Sequence, residues 1–75
     1  MTLQPYKDVF LLYIPSSEWS GYTDEVRRIF RMYALKASYR RRTLVLTFSA
    51  AWLKNCRNRL AFQGLVIPHP TPQVQ

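Results

Sequence analysis

Seventy-five residues make one domain, near the lower limit at which a chain buries enough apolar surface to fold alone. An apolar content of 48%, with aromatics at 15% of the chain, excludes a disordered polymer, yet the core must be thin. The net charge of +7 is unevenly spread: residues 1–25 carry one lysine against four acids, −3, whereas residues 26–75 carry ten basic side chains and no acid, +10.

In chain order, residues 1–5 read as a loose lead-in. Val9–Ile14 is a run of six apolar residues stopped by Pro15, the pattern of a central strand. Its period of two sends Val9, Leu11 and Tyr13 one way and Phe10, Leu12 and Ile14 the other. Residues 15–21 form a polar connection. Thr23 is a good helix N-cap, with Asp24 and Glu25 set against the positive helix end. Val26, Ile29, Phe30, Tyr33 and Ala37 then recur at helical spacing on one face, with Tyr22 alongside, and Arg27, Arg28 and Arg31 lie opposite.

Residues 36–40 fit a short second strand and residues 43–48 a third. In the third, Leu44, Leu46 and Phe48 share one face, and Thr43, Val45 and Thr47 the other. Ser49 caps a second helix over residues 50–62, with Trp52, Leu53, Cys56 and Leu60 as its buried stripe and Gly64 as its stop. Residues 65–67 fit a fourth strand ended by Pro68. The expected organisation is one compact domain over residues 1–68 and an extended or disordered tail over 69–75.

The resulting order is that of an α+β, ferredoxin-like βαββαβ fold, with two helices on one face of a small antiparallel sheet. The uncovered face is expected to show Tyr39, Val45 and Tyr13 or its neighbours. So much apolar surface in so small a protein calls for a second copy or a ligand, and a homodimer is expected.

Few residues suit catalysis. His69 stands between two prolines with no carboxylate near it in sequence, and Asp8 and Asp24 are better read as a strand start and a helix N-terminus. No catalytic constellation, metal site or cofactor is expected. A single cysteine, Cys56, excludes an internal disulfide and a cysteine-based zinc site within a monomer. Two separated glycines exclude a glycine-rich phosphate loop. The first residues carry no secretory leader pattern, and the longest apolar run is far short of the roughly 20 residues that cross a bilayer. A cytoplasmic protein without a membrane partner is therefore expected.

The basic set stands above this background. Arg27, Arg28, Arg31, Lys36, Arg40, Arg41 and Arg42, with Tyr39 among them, form the candidate binding surface. Arginine grips phosphate oxygens in two-pronged fashion and stacks on bases, and an aromatic on an open sheet suits base stacking. The expected partner is nucleic acid, RNA in preference to DNA, or else an acidic protein surface. In the second case the chain would be an inhibitor of the kind that phages and mobile elements encode, using Trp19, Tyr22 and Trp52 as contact aromatics.

Three segments, Tyr13-Ile14-Pro15-Ser16-Ser17, Val26-Arg27-Arg28-Ile29-Phe30-Arg31-Met32-Tyr33 and Leu46-Thr47-Phe48-Ser49-Ala50-Ala51, resemble the GhoS antitoxin family. That family has a ferredoxin-like fold related to CRISPR-associated nucleases and cleaves single-stranded messenger RNA. The present chain is shorter, far more basic and lacks an acidic second half. The resemblance thus implies the fold, an RNA partner and an antitoxin-like regulator, but no catalytic residue.

Overall fold

A computed structural model describes residues 1–70. The chain forms β1 (Thr2–Tyr6), β2 (Val9–Pro15), α1 (Ser16–Ser20), α2 (Asp24–Tyr33), β3 (Lys36–Arg40), β4 (Thr43–Ser49) and α3 (Ala50–Ala61). The four strands make one antiparallel sheet in the order β1-β2-β4-β3. The fold is α+β and broadly ferredoxin-like. β2, α2 and β3 form the split unit, with β4 inserted between the two parallel strands.

It departs from the expected order at one sheet edge. The slot beside β2 is filled from the N-terminal side by β1, and residues 65–67 form no strand. β1 alternates polar and apolar, so that Leu3 is fully buried and Pro5 half-buried while Thr2, Gln4 and Tyr6 face away. Pro5 signals a break when read locally, but an edge strand tolerates proline because its outer N–H has no partner to lose. With the slot taken, the segment after α3 serves the core instead. Ile67 is buried, and the Arg57 guanidinium donates to the carbonyl oxygens of Ile67 and Pro68.

The helix boundaries follow their local chemistry. Thr23 Oγ1 accepts from Val26 N at 3.2 Å, and Ser49 Oγ accepts from Trp52 N at 3.3 Å, so both long helices begin on a side-chain cap. α3 ends with Gly64 at φ +79°, its N–H donating to Ala61 O while Leu65 N donates back to Leu60 O. α1 occupies part of the expected polar connection.

Phe10, Leu12 and Ile14 of β2 and Leu44, Leu46 and Phe48 of β4 face Val26, Ile29 and Phe30 of α2 and Leu53, Cys56 and Leu60 of α3. All three helices therefore serve one sheet face. Two residues expected in helical stripes lie elsewhere. Ala37 falls in β3 and is exposed, because α2 stops at Tyr33; Trp52 is 47% exposed at the start of α3, where it meets Tyr33 edge-on. Of the expected tail, residues 69 and 70 are exposed without regular structure, and residues 71–75 lie outside the described residues.

Candidate nucleic-acid interface

The eight candidate residues fall into two groups with different surroundings. Arg27, Arg28 and Arg31 sit on α2, and all three are engaged within the chain. Arg27 Nη1 donates to Tyr22 O at 2.8 Å and to Trp19 O and Ser20 O at 3.3 Å, and its Nη2 pairs with Asp24. It ties down the exit of α1, adding a donor to the Trp19 carbonyl, which also accepts from Tyr22 N, and supplying one to Ser20 O and Tyr22 O. Arg28 Nη2 bridges both carboxylate oxygens of Glu25, at 2.7 and 2.9 Å. The Arg31 guanidinium lies 5.7 Å from the centre of the Trp19 ring. The acids of the first helical turn thus neutralise two of these cations.

The second group is on the β3–β4 hairpin. Lys36, Arg40, Arg41 and Arg42 make no ion pair among the described residues. Pairing of Lys36 with Thr47, Ser38 with Val45 and Arg40 with Thr43 puts these side chains on the face opposite the helices. Tyr39 is paired with buried Leu44, so it belongs to the helix side, where it is 60% exposed at the sheet margin. The expectation that Tyr39 faces outward with Val45 is corrected by this register: adjacent residues of a strand alternate faces, so Tyr39 cannot accompany Ser38 and Arg40.

Arg41 and Arg42 form the two-residue turn, at φ +46° and +63°. Two successive left-handed residues are what a tight primed hairpin needs, and Asn-Gly is its cheapest sequence. Side chains with a Cβ cost roughly 1–2 kcal/mol each in this region. The Arg42 carbonyl accepts from Ser16 N at 2.8 Å, which anchors the turn to the start of α1. A costly backbone is thus held in place, with two guanidinium groups at its tip.

The open face has a further composition that the charge pattern did not reveal. Register places Thr2, Gln4 and Tyr6 of β1 beside Tyr13, Leu11 and Val9 of β2, followed by Val45 and Thr47 of β4 and then Ser38 and Lys36 of β3. Leu11, Tyr13, Lys36, Ser38, Arg40, Val45 and Thr47 line a shallow depression of about 380 Å³. Tyr6, 53% exposed, joins the face only because β1 exists, so reading residues 1–5 as a lead-in hid it. The alternation of Thr2, Gln4 and Tyr6 against Leu3 and Pro5 was the available signal.

Among the described residues, no group of three or more His, Cys, Asp or Glu is arranged to hold a metal ion. Among the same residues, no helix is long and apolar enough to cross a membrane. Cys56 is fully buried and burial pushes its thiol up to about 12, which leaves it protonated at neutral pH. Searches against protein-family profiles, curated proteins and solved structures find no match to this chain.

Proposed function

We propose that this chain is a small cytoplasmic regulator that binds nucleic acid, RNA in preference to DNA, through the β3–β4 hairpin. The observation that carries this reading is the set Lys36, Arg40, Arg41 and Arg42 on one short element, without an ion pair among the described residues and with no acid in any of the four strands. Crowding four cations at one sheet margin raises the electrostatic self-energy of the free protein, and an anionic partner relieves it. Strained arginines at the turn tip add to the argument, because such a backbone persists where the side chains it presents have a task. RNA and an antitoxin-like role are the specific form suggested by the GhoS-like segments.

Binding of a short labelled RNA across a salt series tests this. Neutralisation of four phosphates on a single strand predicts a slope of log K against log salt of about −3. Arg40→Ala/Arg41→Ala/Arg42→Ala should flatten that slope towards about −1, whereas Arg28→Ala should leave it nearly unchanged. Absence of binding at low salt would remove the proposal.

The rival reading, an inhibitor seated on another protein, has its own observation. Trp52, Phe62 and Val66 are exposed at 47%, 89% and 77% on the α3 side. The other two aromatics proposed for that role are committed to packing: Trp19 and Tyr22 lie 5.6 and 5.9 Å from the Phe30 ring. A stoichiometric protein partner retained after nuclease treatment, and lost on Trp52→Ala, would favour this second reading.

A further inference from the structure

We infer that the occupant of the open sheet face is a single strand of nucleic acid, its backbone along β3 and one base laid over the sheet on Tyr13. This inference rests on the nucleic-acid reading above and specifies the substrate class of the same face. The carrying observation is the layout of the 380 Å³ depression. Its lining combines apolar Leu11 and Val45 with the hydroxyls of Ser38 and Thr47, an aromatic ring from Tyr13, and the cations of Lys36 and Arg40. Tyr13, Val45 and Ser38 lie in one cross-strand row, so the Tyr13 backbone is two strand spacings from β3, roughly 10 Å. Lys36 and Arg40 flank that row two residues to either side of Ser38.

Two features favour a single strand over a duplex, and a third admits a phosphate backbone of either kind. The cations form one line, Lys36 to Arg40 and on to Arg41 and Arg42, along one margin of the sheet, which matches one phosphate backbone. The aromatic and apolar surface offers a π-face and contact area, and only an unstacked base can use these; a duplex keeps its base faces inside. No acidic side chain from any strand faces the depression, so a backbone can approach without repulsion. The edge of β1 carries Pro5 and that of β3 carries its cations, which disfavours extension of the sheet by another strand.

The test compares one labelled oligonucleotide, in RNA and DNA forms, alone and annealed to its complement. The single strand should bind about 10-fold or more tightly than the duplex in the same salt. Tyr13→Ala should weaken single-strand binding by about 10-fold, and Tyr13→Leu, which keeps the apolar bulk and the strand packing, should do the same. Tyr13→Phe should bind within about 2-fold of the parent, since the ring remains. Equal affinity for duplex and single strand, with Tyr13→Leu unaffected, would overturn this inference while leaving hairpin binding intact. Loss of all nucleic-acid binding would instead overturn the reading beneath it. Sedimentation of the free protein gives one more outcome: a dimer that Tyr13→Ala dissociates would mean that a second copy covers this face, and would overturn the inference.

Discussion

Arg27, Arg28 and Arg57 on the helix side of the sheet and the four cations of the hairpin are in opposite states. On the helix side, Arg27 is held by three carbonyls and a carboxylate, Arg28 by Glu25 and Arg57 by two carbonyls of the segment that follows α3. Glu18 there accepts from the Tyr22 hydroxyl and sits 3.0 Å from the Met1 nitrogen. On the hairpin side, Lys36, Arg40, Arg41 and Arg42 have no such partners among the described residues. Arginine content alone therefore says little. What matters is whether the fold brings a carbonyl or carboxylate within reach, and at a hairpin tip it does not.

That contrast can be broken most forcefully at the turn. Arg41→Asn/Arg42→Gly relieves two left-handed residues and should raise stability by about 2 kcal/mol in urea unfolding. The same change should weaken RNA binding, so stability and affinity would move in opposite directions. A loss of stability would mean that the arginine side chains help to hold the hairpin, and the contrast between the two sides would fail.

On the helix side the sign reverses. Arg27→Ala should cost about 1–2 kcal/mol, because it removes donors from three carbonyls at the α1–α2 junction, and RNA binding should be unchanged. Arg28→Ala removes only an exposed ion pair and should cost about 0.5 kcal/mol or less. Comparable costs for the two would show that helix-surface charge, and not the carbonyl contacts, sets the value of Arg27.

The smallest effect sharpens the comparison through pH. The hydrogen bond from Tyr22 holds the Glu18 carboxyl below its ordinary value, more than offsetting the opposing effect of burial. The folded state thus binds the Glu18 proton less readily than the unfolded state. Its contribution to stability is present above the unfolded carboxyl value of about 4.3 and is lost as pH falls through the lowered folded value. Glu18→Gln should flatten the acid limb of a stability–pH curve in that window. Burial and the same hydrogen bond push Tyr22 upward, so it stays protonated and able to donate throughout.

Much of the framework was legible because it is local. Alternation in residues 9–14 and 43–48, the caps at Thr23 and Ser49, and the stop at Gly64 all depend on neighbours within a few residues, and the fold realises each of them. β1 was not legible as a strand, since Pro5 looks like a break until β2 supplies a partner and solvent takes the other edge. Residues 65–67 have the composition of a strand, but β1 already fills the slot beside β2. Tyr39 illustrates the same limit at the site: its type suits base stacking, but a one-residue register step sends it to the helix side and leaves Tyr13 and Tyr6 on the open face.

The sequence by itself determined which residues are amphipathic partners, where helices begin and end, and that positive charge accumulates after residue 25. Tertiary structure decided which of those charges remain unopposed and which tyrosines share a surface with them. The physical reason is range: periodicity and capping are written in contacts a few residues apart. Neutralisation and face sharing depend on register between strands far apart in the chain, and that register is fixed only when the whole sheet closes on its core.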